Sequence, residues 1–117
     1  MEFLKKYKNT KCYAFDGTIQ QLPNESNSEI IFVNKNISKE NSNTNTNMLD
    51  IINENDNIFL KMDIEGSEFN WLLNTNNEEL LSFKQIVMEL HGINNDSWGV
   101  TYQQKLECLK KLCNTHY

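Results

Sequence analysis

The chain has no arginine, one proline, four glycines and three cysteines among its 117 residues. It lacks the apolar run of roughly 18–20 residues that a membrane helix needs, and its first residues lack the apolar core of a signal peptide. Three scattered cysteines do not form the even-numbered pattern of a disulfide framework. We therefore expect a cytoplasmic protein with reduced thiols and no membrane partner.

The charge balance is acidic: all 11 basic residues are lysine, 16 are acidic, and the formal net charge is −5. This balance argues against nucleic-acid binding, which needs a clustered basic surface. Because no guanidinium group is present, any bound anion must be recognised by lysine or by backbone N–H groups. Asparagine is abundant, and it is densest over residues 41–57.

Strand-like and helix-like segments alternate along the chain. Short β-prone or apolar runs predict strands over 11–15, 29–33, 57–64 and 85–90. Helical spacing of apolar residues follows the third strand and recurs over 102–112, where Leu106, Leu109 and Leu112 form the predicted apolar face. The alternation predicts one α/β domain over 1–117 with a mostly parallel sheet, interrupted by a flexible, polar, Asn-rich loop at about 36–47.

Polar side chains follow three of the predicted strands. Asp16 follows the first, the turn at 63–68 follows the third, and Glu89 and His91 follow the fourth. In parallel sheets ligands bind beyond the carboxyl ends of the strands, so these residues are expected to form one site.

The turn at 61–68 reads Lys-Met-Asp-Ile-Glu-Gly-Ser-Glu and carries three carboxylates within six residues. Carboxylates placed this close together repel one another, and a functional site that needs them would explain why the sequence keeps them. A structural explanation is also open: Glu65 and Glu68 would favour the positive end of the next helix, Ser67 would cap it, and Lys61 would balance Asp63.

This turn resembles the hallmark of the FkbM-type family of S-adenosylmethionine-dependent methyltransferases. That hallmark is a strand ending in Lys-x-Asp-x-Glu-Gly-x-Glu. The matching positions are Lys61, Asp63, Glu65, Gly66 and Glu68. Residues 12–16 resemble the family's second strand and residues 86–91 its fifth, so the resemblance covers roughly 11–92.

The resemblance implies an incomplete Rossmann-like methyltransferase sheet, mostly parallel and flanked by helices. It implies S-adenosylmethionine as cofactor and a small-molecule or glycan hydroxyl as acceptor. The cofactor-binding residues it implies are Asp16, Asp63, Glu65 and Gly66. The catalytic residues it implies are His91, Glu89 and Asp63.

Each of these roles has an alternative. Asp16 fits an Asp-Gly turn as well as a ribose-binding carboxylate. The ordinary pKa of histidine is near neutrality, which would suit His91 as a general base, but a lone histidine at a strand end commonly has a structural role. Asp63 or Glu89 could take the proton instead, or hold a metal that acidifies the hydroxyl.

No metal ligand is assigned. Cys108, Cys113 and His116 do not have zinc-site spacing, and the thiols are predicted to be buried. Trp71 and Trp98 show no pattern that separates a binding platform from core packing.

The chain departs from the family at both ends. No Gly-rich turn precedes Asp16, and the family's central first strand has no counterpart, so we expect a partial domain that binds S-adenosylmethionine weakly or not at all by itself. Residues 113–117 resemble the approach to a further strand. Two other functions stay open: a non-catalytic α/β remnant that binds a protein partner or companion chain, and an unrelated α/β domain whose Asp-x-Glu-Gly turn holds a divalent cation.

Overall fold

A computed structural model describes residues 5–23 and 30–116. These residues contain six short strands and four helices. In chain order the elements are β1 (Cys12–Phe15), β2 (Ile30–Val33), β3 (Asn36–Ile37), β4 (Asn45–Thr46), α1 (Leu49–Glu54), β5 (Ile58–Met62), α2 (Glu68–Leu73), α3 (Asn77–Leu81), β6 (Phe83–Met88) and α4 (Tyr102–His116).

The strands pair in parallel, as the alternation of elements predicts. β1 pairs with β2, β3 with β4, and β5 with β6. These are three separate two-stranded sheets, and no ladder joins β1 to β5 within 5–23 and 30–116. The mixed α/β class is therefore confirmed, whereas a single continuous sheet is not observed in the described residues.

Several boundaries differ from the sequence prediction; β5, for example, spans Ile58–Met62 instead of 57–64. β6 begins at Phe83, two residues earlier than predicted, and ends at Met88. α4 continues to His116, where the approach to another strand was expected. The His116 ring holds this last turn of helix in place, since its Nε2 lies 2.7 Å from the Phe83 carbonyl oxygen.

The Asn-rich stretch at 36–47 contains more structure than its composition indicates. Its two ends form the β3–β4 pair, and Ile37 is buried in the core. Between them the Ser42 hydroxyl accepts the backbone N–H groups of Thr44 and Asn45 at 3.2 and 3.1 Å. Short polar side chains here satisfy the backbone locally, which is their usual role in turns.

The core lies where α4 packs against α2, α3 and β6. Its most deeply buried side chains include Phe69, Trp71, Leu72 and Leu80. The Trp71 indole N–H donates to the Asn47 carbonyl oxygen at 3.0 Å, so the ring also ties α2 to the segment before α1. Trp71 is therefore a core residue.

The buried face of α4 differs from the predicted one. Lys105 and Cys108 are buried, whereas Leu106 and Leu109 are half-buried. Burial raises the pKa of the Cys108 thiol, which keeps it in the neutral form. The prediction of buried thiols is correct for Cys108 and wrong for Cys113, which is exposed.

Three apolar side chains of the strands are only partly buried. Ile31, Phe59 and Val87 are 44%, 49% and 47% exposed. Continuous apolar strands are usually covered on both faces, and these side chains are more exposed than that arrangement predicts. None of the helices in the described ranges is both long and apolar enough to cross a membrane.

Replacing Trp71 tests the tie between α2 and the β4–α1 segment. Trp71→Phe keeps an aromatic ring but removes the donor to Asn47 and leaves a small void, so the free energy of unfolding should fall by about 1–3 kcal/mol. Urea unfolding followed by circular dichroism measures this. The control is Trp98→Phe, at a half-exposed position, which should cost less; equal losses would contradict the assignment.

Candidate active site

The ends of β5 and β6 bring the predicted catalytic residues to one edge. Met62 and Met88 are paired at the last position of this parallel ladder, and the Glu89 N–H donates to the Met62 carbonyl oxygen at 3.0 Å. Asp63 and Glu89 are the residues that follow. They therefore leave the two strands side by side.

The turn after β5 is built around the buried carboxylate of Glu68. Glu65 and Gly66 have positive φ angles of 57° and 118°, which bend the chain so that backbone N–H groups point inward. The Ile64 N–H donates to Glu68 Oε1 at 3.0 Å, and the Gly66 N–H donates to Oε2 at 3.1 Å. The Ser67 side chain makes no cap hydrogen bond, so the alternative in which it caps α2 is not observed.

Glu68 also holds the ring of His91. Its Oε1 lies 2.9 Å from His91 Nδ1. Burial alone would raise the pKa of Glu68, but hydrogen bonds from its own N–H, from His91 and from the turn outweigh burial and lower this pKa. Because an ionised carboxylate has no proton to donate, Nδ1 carries the shared hydrogen, and whenever the ring is neutral its lone pair lies at Nε2.

Three further carboxylates surround His91 Nε2. Its distances are 3.8 Å to Asp63 Oδ1, 3.7 Å to Glu65 Oε2 and 3.7 Å to Glu89 Oε1. The hydrogen bond to Glu68 raises the pKa of His91, and the charges of Glu68, Glu65 and Glu89 raise it further, against a smaller lowering by burial. We call Asp63, Glu65, Glu68, Glu89 and His91 the strand-end cluster.

The indole of Trp98 forms a wall beside this cluster. A Cβ added at Gly66 or at Gly92 would collide with the ring, so the indole lies directly on the backbone of both turns. The Asn70 side chain fixes the residue by donating to the Trp98 carbonyl oxygen at 2.9 Å, while the indole itself stays half-exposed. Gly66 was predicted to bind cofactor, and the contacts that the structure shows for it are with the Glu68 carboxylate and the Trp98 ring.

Lys105 holds the loop that carries Trp98. This lysine is 1% exposed, and its Nζ donates to the Gly92 and Asn95 carbonyl oxygens at 2.6 and 2.7 Å and to the Ser97 hydroxyl at 2.5 Å. The three acceptors replace the water that a buried ammonium loses. Sequence reasoning missed this residue because a lysine on a surface helix is normally exposed.

Asp16 lies apart from these contacts. Its Oδ1 accepts the Thr18 hydroxyl at 2.6 Å and the Thr18 N–H at 2.7 Å, and these bonds lower the pKa of Asp16. Among residues 5–23 and 30–116, no hydrogen bond or ion pair joins Asp16 to the strand-end cluster. The geometry is that of a turn, and the predicted contact with a ribose stays a prediction.

A separate surface depression of about 620 Å³ lies at the α2–α3 connection. Lys111 borders it and donates to the Leu72 and Thr75 carbonyl oxygens at 2.7 and 2.9 Å, which satisfies the C-terminal end of α2. None of the predicted site residues lines this depression.

Removing the charge of Glu68 tests the centre of the cluster. In Glu68→Gln the pKa of His91 should fall, and the free energy of unfolding should fall by about 1–3 kcal/mol because an amide cannot accept all the bonds that the carboxylate receives. Two-dimensional NMR of the imidazole and urea unfolding measure the two effects. The exposed Glu65→Gln should lower the pKa of His91 less, and a larger effect there would contradict the assignment.

The stability lost in Glu68→Gln should depend on pH. The lowered pKa of Glu68 stabilises the fold above its ordinary value of 4.5, and this contribution is lost as pH falls through the folded-state pKa. The raised pKa of His91 stabilises the fold below its ordinary value of 6.5 and is lost as pH rises through the folded-state pKa. The difference from wild type should therefore be largest between these two values.

Removing the charge of Lys105 tests the support of the Trp98 loop. Lys105→Met keeps the length of the side chain but leaves three acceptors unpaired, so amide hydrogen exchange over 92–98 should accelerate. Lys110→Met, on the exposed face of the same helix, is the matched control and should leave exchange unchanged. Unchanged exchange in Lys105→Met would show that the loop does not depend on this lysine.

Comparison with known proteins gives one match. The family model described as the methyltransferase FkbM domain matches residues 4–115, beyond both ends of the stretch that the sequence motifs indicated. Searches of curated proteins and of solved structures found no match. Since the family model covers nearly the whole chain and includes every residue of the strand-end cluster, the chain belongs to the FkbM methyltransferase domain family.

Proposed function

We propose that the protein takes part in S-adenosylmethionine-dependent methyl transfer to a hydroxyl group, and that the strand-end cluster is where this hydroxyl loses its proton. The observation that carries the proposal is the Glu68–His91 pair. A buried, ionised carboxylate orients the imidazole at 2.9 Å and leaves Nε2 facing the open end of β5 and β6. A base held by a second group in this way is the usual arrangement for proton abstraction.

His91 has a defined part in this chemistry. When bound, the cofactor supplies a methyl group that is electrophilic because it is attached to a sulfonium. Nε2 accepts the proton of the acceptor hydroxyl as its oxygen attacks, and the resulting imidazolium is stabilised by Glu68 at Nδ1 and by the surrounding carboxylates. The chain's own contribution is therefore to orient an oxygen nucleophile and to take its proton.

The residues fit the cofactor in part. The carboxylates of Asp16, Asp63 and Glu65 can accept hydrogen bonds from ribose hydroxyls, and their charge favours a cationic sulfonium. On the other side, Trp98 fills the space beside Gly66, and Thr18 already occupies one oxygen of Asp16. This partial fit supports weak binding by the chain alone.

The acceptor side of the cluster suits a polyhydroxylated or phenolic molecule. Glu65 and Glu89 are exposed and can accept hydrogen bonds from neighbouring hydroxyl groups. The half-exposed Trp98 ring beside them offers an apolar surface for the carbon skeleton. Together they favour a small-molecule or glycan hydroxyl as acceptor.

A protein-interaction module is the second candidate. It is favoured by the separation of β1–β2 from β5–β6, because each pair keeps an edge that no described strand occupies. Such edges pair readily with another segment or with a companion chain. This candidate predicts no specific response to S-adenosylmethionine at the cluster.

An NMR titration distinguishes the candidates, since it detects weak binding in a chain of this size. Adding S-adenosylmethionine should shift the amide signals of Asp16, Gly66 and Gly92. His91→Asn should retain these shifts but lose methyl transfer from labelled cofactor to a panel of sugars and phenols, by about 100-fold or more. No shifts at millimolar cofactor would contradict the proposal.

His116→Gln is the matched control, because the His116 ring contacts Thr115 and Phe83 instead of the strand-end cluster. It should keep both the shifts and the transfer. Equal activity in His91→Asn and His116→Gln would show that His91 is not the base.

A further inference from the structure

We propose that the strand-end cluster binds a divalent transition-metal ion, with His91 Nε2 and the carboxylates of Asp63, Glu65 and Glu89 as ligands and Glu68 as the residue that orients the imidazole. The inference rests on the geometry around Nε2 and does not depend on the proposed methyl transfer.

The distances around Nε2 are too long for hydrogen bonds and suited to a shared cation. Oxygens of Asp63, Glu65 and Glu89 lie 3.7–3.8 Å from the nitrogen. Metal–ligand bonds of about 2.1 Å in a tetrahedral arrangement place neighbouring ligand atoms about 3.4 Å apart. Small side-chain rotations would close this difference, and the exposed Glu65 and Glu89 are free of the core packing that would resist them.

The tautomer of His91 is the one that a metal needs. The Nδ1–H donates to the buried Glu68 carboxylate, so the lone pair of the neutral ring lies at Nε2, the nitrogen that is 3.7–3.8 Å from oxygens of Asp63, Glu65 and Glu89. Asp63 and His91, two of the proposed ligands, lie with the supporting Glu68 in one group whose potential ligand atoms are all within 4.8 Å of one another.

Glu68 orients the His91 imidazole and is not itself a proposed metal ligand. Both of its oxygens accept backbone N–H groups of the turn, and one also accepts His91, so its lone pairs are committed to the protein. Carboxylates that hold a metal-binding histidine in this way typically change metal affinity by 10–100-fold when removed. Glu68 is therefore a positioning residue whose effect reaches the metal through the imidazole.

The ligand chemistry selects among cations. One imidazole nitrogen with three carboxylate oxygens favours ions such as Mn²⁺, Fe²⁺ or Zn²⁺, whereas Mg²⁺ prefers oxygen and water ligands alone. The thiols of Cys12 and Cys113, outside the cluster, would bind Zn²⁺ and confuse its titration. Mn²⁺ is the better probe because it binds thiolate weakly and broadens nearby NMR signals.

The experiment is an Mn²⁺ titration of the reduced full chain, followed by paramagnetic broadening in the absence of S-adenosylmethionine and acceptor. Broadening should centre on His91, Asp63 and Gly66 at substoichiometric Mn²⁺. His91→Asn and Glu68→Gln should each weaken binding about 10-fold or more, and His116→Gln should not change it. Signal dispersion in the same spectra reports whether each variant is folded.

Glu65→Gln keeps the test decisive if Glu68→Gln does not fold, because Glu65 is exposed and its replacement removes a proposed ligand without touching the core. It should also weaken Mn²⁺ binding. Broadening that survives unchanged in His91→Asn, that centres outside the cluster, or that an equal concentration of Mg²⁺ removes would overturn the inference.

The metal and the methyl transfer can fail separately. A cation at Nε2 and the proton of an acceptor hydroxyl compete for one lone pair, so Mn²⁺ should inhibit any transfer that uses His91 as base. Metal binding without a response to S-adenosylmethionine would support the cation site alone. A response to the cofactor without metal binding would leave only the proposed function standing.

Discussion

The buried carboxylate of Glu68 is the interaction on which the rest of the site depends. An anion in the core is costly unless each lone pair has a donor, and the donors here come from the turn after β5 and from His91. The positive φ angles of Glu65 and Gly66 bring those N–H groups inward. One buried charge thereby determines the shape of the turn, the direction of the imidazole and the position of Nε2.

A second buried charge supports the opposite side of the site. Lys105 carries its ammonium into the core and binds the loop that follows His91, which presses Trp98 against Gly66 and Gly92. No carboxylate contacts this ammonium among the described residues, so its charge is stabilised by carbonyl and hydroxyl oxygens and by the rings of Phe69 and Trp98. Glu68 binds the turn after β5, and Lys105 binds the loop after His91. The indole of Trp98 packs on the backbone of both.

The strand pairs differ in how they contribute to the site. β5 and β6 align their carboxyl ends and so assemble the strand-end cluster without help from the other strands. β1, which carries the predicted ribose-binding Asp16, pairs only with β2 among the described strands. The residues proposed for the acceptor chemistry therefore lie close together, whereas Asp16, one of the carboxylates proposed for the cofactor, lies apart and already accepts the hydrogen bonds of a turn.

The sequence by itself determined the α/β class, the parallel pairing and the clustering of polar side chains after β5 and β6. These follow from local patterns: apolar runs, helical spacing, and carboxylates placed directly after strands. It also placed Asp63, Glu65, Glu89 and His91 close together, because parallel neighbouring strands end at one edge, but it placed Asp16 with them, and Asp16 lies apart. It could not separate a structural role of Glu68 from a functional one, since that depends on which N–H groups the turn directs at the carboxylate.

Only the tertiary structure decided the remaining features. The buried face of α4 includes Lys105, because the loop after His91 offers three acceptors that no helical pattern reveals. Trp71 lies in the core and Trp98 lies half-exposed beside the strand-end cluster, although the sequence around them does not distinguish the two rings. Likewise, whether the strands form one sheet or separate pairs depends on contacts between segments distant in the chain. Local propensity determines which elements form; long-range packing and the pairing of buried charges determine how they meet.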